Sequence, residues 1–306
     1  MKPLAASPQP TEWKASMQTS PFSDFFIRFW GVRGSIPTPG KETVRYGGNT
    51  SCVEMYVGGK SLIFDGGTGL RVLGKHLLAQ MPVEAYMFFT HSHWDHIQGF
   101  PFFIPAFIPG NCFHIYGAIA PNGANIKARL SDQMHHPNFP VPLVAMRSDL
   151  RFYDIKPGEV FKIDDIEIET ASLNHPNEAI GYRVSWAGHT AVYCTDTEHF
   201  ADRLDENVLR LARNADIFIY DATYSEEEYS DPKSPKIGWG HSTWQEAVKL
   251  AKAAKVDKLV IFHHDPAHDD DFLDNIEAQV HTVFANSLLA REGMVLPVMG
   301  AKPQQE

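Results

Sequence analysis

The amino-acid sequence predicts a layered fold of strands and helices, of the α/β (α+β) class, with a functional site at one edge of its sheets. Short apolar runs rich in aromatic and β-branched residues recur along the chain and indicate buried strands. Amphipathic stretches between some of these runs indicate helices. Several runs are followed by a histidine or an aspartate, and layered folds build their sites at strand ends on one edge. These residues are His91, His175, Asp196, Asp221 and His263.

Size and composition indicate a folded protein with a large core. The chain has 306 residues, of which 43% are hydrophobic and 21% are charged, as in ordinary globular proteins. Its formal charge of -10 argues against a broad basic surface, so no stable nucleic-acid partner is expected. A small anionic substrate remains compatible with this charge, because bound divalent cations reverse the local field in a cleft.

Cysteine usage and hydropathy predict a cytoplasmic protein. Cys52, Cys112 and Cys194 are odd in number and far apart, which indicates buried thiols in a reducing compartment and not a disulfide framework. No run approaches the ~18 apolar residues of a membrane helix, so no membrane partner is expected. The first residues lack the apolar core of a secretory signal.

The start of the chain differs in composition from the remainder. Residues 1–22 are rich in Pro, Ser, Thr and Gln without periodicity, which predicts a flexible arm. Residues 23–306 are predicted to form one catalytic domain. It begins with a strand at residues 25–30, followed by a loop at residues 31–40 whose glycines permit close approach of the backbone to another group.

Two glycine-rich segments come next. Residues 52–57 and 61–64 predict a hairpin that turns at residues 58–59. Residues 65–69, Asp-Gly-Gly-Thr-Gly, lead into a helix whose apolar side carries leucines. Asp65 is expected to support the metal-binding loop described next by a hydrogen bond.

A predicted buried strand is followed by a concentration of metal-binding side chains. The sequence Thr-His-Ser-His-Trp-Asp-His at residues 90–96 offers imidazole nitrogens and a carboxylate oxygen, which suit zinc, manganese or iron. Spacing alone allows two metals, because His91 and His93 can point to one ion while Asp95 and His96 reach another. A polar loop that is rich in histidine by chance is the alternative, and four donors within six residues disfavour it.

Two irregular segments follow this cluster. Residues 100–109 combine aromatic residues with prolines, and we favour core packing over a wall of the substrate cleft. Trp94 and Phe100 fit either core packing or stacking on a base. Residues 131–146 predict a loop beside the site, and the two adjacent histidines in this loop are not expected to be ligands.

The remaining periodic segments complete the predicted elements. Residues 243–254 have one apolar side and begin with a capping box between Thr243 and Glu246, which predicts a helix. Strands are predicted at residues 85–89, 166–170, 181–186, 190–194, 217–220 and 258–262.

The ordered motifs between residues 25 and 271 resemble the metallo-β-lactamase superfamily. Residues 91–96 are similar to its hallmark, His-x-His-x-Asp-His after a strand. Residues 217–223 resemble a strand that ends in an acid-Ala-Thr element, residues 240–243 a Gly-His-Ser-Thr helix start, and residues 262–266 the last ligand segment. The similarity is closest to the branch of tRNase Z and the small-molecule phosphodiesterases. It implies a four-layer αβ/βα sandwich with the site at one edge of two facing sheets.

The resemblance also implies two divalent metal ions, zinc first, with manganese or iron as alternatives. The implied ligands are two sets joined by a bridging Asp196: His91, His93 and His175 for one ion, and Asp95, His96 and His263 for the other. His264 is the alternative to His263, which we prefer because it directly ends the strand. Dimers are common among relatives in this branch, so a homodimer is an expected assembly.

The catalytic roles that the resemblance implies involve three residues. His241 would donate a proton or contact phosphate, Asp221 would orient it, and Asp95 would belong to the reacting centre. Two cations ~3.5–4 Å apart lower the pKa of a shared water, so that a hydroxide bridging the metals can attack phosphorus. A histidine near its pKa can protonate the leaving oxygen, and a carboxylate fixes its tautomer. The alternative for His241 is a neighbour of the helix cap without a catalytic role.

A short connection between two implied ligands narrows the expected substrate. Full tRNase Z enzymes insert a tRNA-gripping arm between the positions that match His175 and Asp196. Here these residues are 21 positions apart, and the predicted hairpin uses most of that length. We therefore expect a metal-dependent phosphodiesterase for a small phosphodiester, with a cyclic nucleotide first. The alternatives are a tRNA 3′-processing endonuclease-like nuclease, a metallo-hydrolase of another ester class, and a metal-binding sensor or scaffold without turnover.

Overall fold

The buried apolar runs pair into two sheets that face each other. Within residues 24–298, the part of the chain that the computed structural model describes, each sheet has seven strands. The arm predicted for residues 1–22 lies outside the described residues.

The first sheet is built mainly from the first half of the chain. It contains β1 (Phe25–Gly31), β2 (Cys52–Val57), β3 (Lys60–Phe64), β4 (Glu84–Phe89), β5 (Cys112–Ala118), β6 (Asp149–Ile155) and β14 (Val295–Pro297). The strand order is β14-β1-β2-β3-β4-β5-β6, and β3 to β6 run parallel. The carboxyl end of β4 leads into the predicted metal loop.

The second sheet comes from the second half of the chain. It contains β7 (Val160–Ile163), β8 (Ile166–Leu173), β9 (Ala179–Trp186), β10 (His189–Cys194), β11 (Ile217–Asp221), β12 (Lys258–Phe262) and β13 (Ser287–Leu289). The order is β13-β12-β11-β10-β9-β8-β7. Because β9 is antiparallel to both β8 and β10, and β10 to β13 are parallel, the carboxyl ends of β8, β10, β11 and β12 meet at one edge.

Five helices cover the outer faces of the two sheets: α1 (Gly69–Leu77), α3 (Ile126–Asp132), α4 (Glu206–Ala212), α6 (Trp244–Ala254) and α7 (Asp270–Val283). Two short helices, α2 (Trp94–Ile97) and α5 (Glu226–Tyr229), lie in the segments that follow β4 and β11. Short 3₁₀ helices lie at Leu78–Gln80, Phe100–Phe102, Ile104–Phe107 and Leu143–Ala145.

Three buried apolar clusters hold these layers together. The cluster between the sheets includes Phe88 from the first sheet and Tyr182 from the second. Leu73 of α1 packs in the cluster outside the first sheet, and Val248 of α6 and Ile276 of α7 pack in the cluster outside the second. The predicted four-layer sandwich is therefore confirmed, with hydrophobic burial as the main stabilising force at each interface.

Several local predictions can be compared with the structure. The first hairpin is confirmed, and Gly58 and Gly59 have φ of 53° and 83°, the positive values that a tight two-residue hairpin turn requires. Phe100 is fully buried, as core packing predicts, whereas Trp94 is 80% exposed and does not pack in the core. The prediction of three buried thiols is wrong for Cys112, which is only partly buried because it begins β5 at the end of the sheet.

Across residues 24–298, no helix combines enough length with enough apolar character to cross a bilayer.

Candidate metal centre

The strand ends bring the seven predicted ligands to one edge of the sandwich. Four of them follow β4 in the first sheet, and the others follow β8, β10 and β12 in the second. The ligand atoms form two groups, and within each group they lie within 4.8 Å of one another. The groups are His91, His93, His175 and Asp196, and Asp95, His96, Asp196 and His263. Their metal-binding roles stay a prediction, but the structure assembles both predicted sets.

The carboxylate of Asp196 lies between the two groups. Its Oδ2 is 3.6 Å from His91 Nε2 and 3.7 Å from His175 Nε2. Its Oδ1 is 3.1 Å from His96 Nε2 and 3.3 Å from His263 Nε2. Each oxygen therefore faces one group, which is the arrangement that a bridging carboxylate needs.

Asp65 supports the loop after β4, as the sequence predicts. It accepts hydrogen bonds from His96 Nδ1 at 2.9 Å, from the Thr90 amide at 2.8 Å and from the Tyr193 hydroxyl at 3.0 Å. The Thr90 hydroxyl also donates to Asp65 and lies 3.0 Å from His91 Nδ1, which donates to it in turn. These contacts favour the tautomer that carries its proton on Nδ1 and turns Nε2 toward the centre. Burial alone would lower the pKa of His96, but Asp196, Asp95 and Asp65 raise it well above its usual range, so a bound cation would have to displace a proton from its Nε2.

The ligand histidines of the second sheet are oriented in the same way. His175 Nδ1 donates to the carbonyl of Gly240 at 2.8 Å, and His263 Nδ1 lies 3.0 Å from the Thr223 hydroxyl. Two glycines make room for these rings, since a Cβ added at Gly34 or Gly240 would lie 2.3 Å from the ring of His263 or His175, respectively. The close backbone approach predicted for residues 31–40 is thus found at Gly34.

Three residues at the strand ends that build the site have left-handed backbone. Asp65, Asp196 and His263 have φ of 61°, 55° and 66°. This conformation is unfavourable for residues with a Cβ and is uncommon outside glycine. It turns the chain sharply at three strand ends, so that each side chain projects into the site.

The donor set fits divalent metal ions. Among residues 24–298, the buried Nε2 atom of His91 has no hydrogen-bond partner, a state that costs about 1–3 kcal/mol without a ligand. Burial lowers the pKa of His91, which favours the neutral imidazole that a metal requires. Burial alone would raise the pKa of Asp196, but His263 and the neighbouring histidines hold it well below its usual range, so the carboxylate is charged.

His264 is turned away from the centre. Its Nε2 donates to the carbonyl of Ala290 at 2.8 Å, and burial lowers its pKa to about 3. The geometry therefore favours His263 as the ligand over the alternative. His135 and His136, which were not expected to be ligands, are exposed and belong to neither group.

A second histidine-carboxylate pair adjoins the metal groups. His241 Nδ1 donates to Asp221 Oδ2 at 2.8 Å, and the His241 ring stacks on His263 with centroids 4.9 Å apart. Burial alone would lower the pKa of His241, but the buried Asp221 carboxylate raises it to about 9. Asp221 also accepts from the amide and hydroxyl of Thr223, so the strand end of β11 supports both His241 and His263. His241 is in position to donate a proton toward the centre.

Sequence reasoning missed one buried carboxylate that positions this pair. Glu198 accepts hydrogen bonds from the amides of Gly238 at 2.7 Å and Gly240 at 2.8 Å, and from the Tyr229 hydroxyl at 2.5 Å. These contacts hold the segment that leads into His241. The available signal was its place just after the end of β10, two residues beyond Asp196.

His199 does not contact the predicted ligands. Its Nδ1 is 3.1 Å from the Ser242 hydroxyl, and its ring lies against Tyr229 with centroids 4.5 Å apart. It therefore supports the segment directly before α6.

Comparison with known proteins identifies the family to which this chain belongs. A family model described as the beta-lactamase superfamily domain matches residues 61–264, more than half of the chain. The chain belongs to the beta-lactamase superfamily. Members of this superfamily carry the fold described above, and the fold implies divalent metal ions at the histidine and aspartate groups. The chain is a metal-dependent hydrolase.

Individual superfamily members are similar to the chain over most of its length. Ribonuclease Z of Archaeoglobus fulgidus is 24% identical over an alignment of 330 residues, which covers 90% of this chain and 98% of the relative. The crystal structure of human tRNase Z, short form, has a TM-score of 0.62 and 18% identity, and covers 90% of this chain and 100% of that chain. The structure of a diphosphatase from the PhnP family has a TM-score of 0.62 and 18% identity, with 89% and 97% covered. Both of these structures have the same fold as this chain.

Proposed function

We propose that the chain is a dinuclear metal-dependent phosphodiesterase that hydrolyses a small phosphodiester, with a cyclic nucleotide as the first candidate. The observation that carries the proposal is the His241–Asp221 pair beside two groups of metal-binding side chains. Phosphodiester cleavage needs an activated water, neutralisation of charge on phosphorus and an acid for the leaving oxygen. The site has residues for each of these requirements.

The roles of the residues follow from their contacts. Two bound cations, zinc first, would supply Lewis acidity and lower the pKa of a water. Asp221 accepts the Nδ1 proton of His241, so the proton to be transferred is the one on Nε2. Burial alone would lower the pKa of His241, but Asp221 raises it, which favours the protonated imidazole that a proton donor needs. Asp95, which accepts from the Ser35 amide at 2.8 Å, is held at the centre as a ligand beside the reacting atoms.

The proposal of a small substrate is supported by the connection between His175 and Asp196. This stretch is used by β9 (Ala179–Trp186) and β10 (His189–Cys194), two central strands of the second sheet. No tRNA-gripping arm fits between these two ligands. An anionic substrate would instead be bound by the cations and by His241. At this edge of the sandwich the positive charge of the ions would offset the acidic charge of the protein.

A tRNA 3′-processing nuclease is the second candidate. It is favoured by the similarity to Ribonuclease Z of Archaeoglobus fulgidus, which extends over 98% of that protein. Such an activity would need a nucleic-acid-binding surface elsewhere on the chain, against a formal charge of -10.

Hydrolysis assays test both candidates. The zinc- or manganese-loaded protein is expected to hydrolyse bis(p-nitrophenyl) phosphate, and chelation should abolish this activity. His241→Ala should lower kcat about 100-fold or more with metal content unchanged, because general-acid catalysis typically contributes 10²–10⁴-fold. The exposed His135→Ala variant is the matched control. Turnover that is unaffected in His241→Ala would remove this residue from the mechanism.

Natural substrates require a separate screen. In a screen of cyclic mono- and dinucleotides, a cyclic mononucleotide is expected to be opened to its monophosphate and a cyclic dinucleotide to its linear dinucleotide, whereas precursor tRNA should remain intact. Clean removal of a tRNA trailer would replace the first candidate with the second. Absence of turnover in a protein with full metal content would favour a sensor or scaffold.

The expected homodimer is a separate question. Size-exclusion chromatography of the same preparation tests it.

A further inference from the structure

A second group of metal-binding side chains lies at the opposite end of the first sheet. Glu84, Cys112 and Asp149 begin β4, β5 and β6, and they are register partners across these parallel strands. His114 is two residues beyond Cys112, so its side chain projects from the same face of the sheet. His91 lies seven positions after Glu84 along mostly extended chain, roughly 20 Å away. This group is therefore distinct from the hydrolytic centre.

The donor atoms of three of these residues have the spacing of a metal site. One oxygen, sulfur and nitrogen from Glu84, Cys112 and His114 lie within 4.8 Å of one another. Cys112 Sγ is 3.6 Å from His114 Nε2, and Glu84 Oε1 is 2.7 Å from the same nitrogen. A tetrahedral zinc ion with bonds of ~2.3 Å to sulfur and ~2.0 Å to nitrogen separates those two atoms by about 3.5 Å. The thiol sulfur and the imidazole nitrogen thus already have the separation that zinc requires. The side chain of Glu84 is 57% exposed, so its carboxylate can move to the position that an ion requires.

Neighbouring aromatic residues hold the imidazole in this orientation. The Tyr153 hydroxyl lies 3.3 Å from His114 Nδ1, and the Tyr86 ring stacks on His114 with centroids 4.6 Å apart. A hydrogen bond at one ring nitrogen that orients the other toward the ion is the usual support for a metal-binding histidine. Asp149 is 3.8 Å from Cys112 Sγ but is held by Arg151, so water would complete the coordination.

We propose that Glu84, Cys112 and His114 form a second metal site, selective for a zinc-class ion and separate from the hydrolytic centre. The combination of thiolate, imidazole and carboxylate favours zinc, cobalt or cadmium over magnesium and calcium. An ion bound here links the beginnings of β4 and β5 and stabilises that end of the sheet. A Glu84–His114 ion pair alone is the competing explanation, and it requires no contribution from the sulfur of Cys112.

Cobalt(II) titration of the full chain distinguishes these explanations. The predicted ligands of the hydrolytic centre are histidines and aspartates, so thiolate-to-cobalt charge-transfer absorption reports only the proposed site. We expect this absorption in the near ultraviolet, with an amplitude at saturation that corresponds to one thiolate-bound cobalt per chain. Its absence from the wild-type protein would overturn the proposal, whatever the outcome of the hydrolysis assays.

Variants separate the site from the other thiols and from catalysis. Cys112→Ser should lose the whole absorption and bind one cobalt fewer, and His114→Gln should weaken binding at least tenfold. Cys194→Ala, which removes a buried core thiol, is the control and should keep the absorption. Phosphodiester hydrolysis should be unchanged in Cys112→Ser. An unaltered absorption in both Cys112→Ser and His114→Gln would contradict the assignment.

Discussion

The carboxylate of Glu198 lies 2.8 Å from the backbone amide of Gly240, and this contact joins two parts of the candidate metal centre. Glu198 follows the end of β10, and Gly240 comes directly before His241. The carbonyl of Gly240 accepts a hydrogen bond from His175. One buried carboxylate thereby positions a segment that contacts a predicted ligand and carries the proposed proton donor.

Removal of this carboxylate is expected to impair catalysis more than folding. Glu198→Ala should lower kcat about 10- to 100-fold, the range seen for residues that orient ligands, with a smaller change in KM. Glu198→Gln retains one carbonyl acceptor and should recover part of the activity. Steady-state kinetics with bis(p-nitrophenyl) phosphate measures both, and the exposed Glu206→Ala is the control. An unchanged kcat in Glu198→Ala would contradict the positioning role.

The hydroxyl of Thr223 connects Asp221 with His263, and its loss should weaken metal binding. It donates to Asp221 at 2.7 Å and lies 3.0 Å from His263 Nδ1. Thr223→Val keeps the shape but leaves Nδ1 unsupported, so affinity should fall about 10- to 100-fold. Thr223→Ser keeps the hydroxyl and should remain near wild type. Chelator competition gives the affinities, and equal values for Val and Ser would sink the idea.

Gly34 is predicted to be essential for the space it leaves. A Cβ at this position would lie 2.3 Å from the ring of His263, so Gly34→Ala should displace that ring and lose most metal and activity. Gly40→Ala in the same loop is the matched control, because its Cβ would meet only the Thr43 hydroxyl at 4.0 Å. The metal content and the hydrolysis rate of both variants test this prediction. Full metal content in Gly34→Ala would contradict it and would show that the loop can move away from the ring of His263.

Glu228 is predicted to make stability depend on pH. Burial alone would raise its pKa, but hydrogen bonds from His268 and Ser225 lower it from 4.5 to about 2. A carboxyl with a depressed folded-state pKa stabilises the fold above its unfolded pKa, and that contribution is lost as pH falls from 4.5 toward 2. Glu228→Gln should therefore cost about 1–2 kcal/mol of unfolding free energy at pH 7, discounted for partial exposure, and less at pH 3.

Urea unfolding at the two pH values measures this difference. The exposed Glu227→Gln variant is the control and should have little effect at either pH. A loss of equal size at pH 7 and pH 3 in Glu228→Gln would indicate a packing defect and not a titrating contact.

The site residues that the sequence predicts are either close to one another in the chain or located at the ends of predicted strands. His91 and His93 are neighbours in the chain, so their proximity requires no knowledge of the fold. His175 and His263 each follow a predicted strand, and strand ends at one edge build the sites of layered folds, whereas their roles as ligands were implied by the family resemblance. Glu198 could not be recognised, because its contacts with Gly238 and Gly240 span 40 or more residues and arise only from tertiary packing.

The missed elements of the fold have different causes. β6 (Asp149–Ile155) is an edge strand with mostly exposed side chains, so it lacks the apolar pattern of an internal strand. In α7 (Asp270–Val283), Leu273, Ile276 and Val280 are buried at helical spacing. This helical spacing of apolar residues is visible in the sequence, but it lies beyond the last element that the sequence analysis predicts.

The left-handed backbone at Asp65, Asp196 and His263 has a consequence for how the site depends on the rest of the fold. Each such residue costs roughly 1–2 kcal/mol relative to ordinary backbone, so only the surrounding packing keeps the three bends in place. A variant that loosens this packing at a distance is therefore expected to relax the bends and to disturb the predicted ligands Asp196 and His263 before the fold itself unfolds.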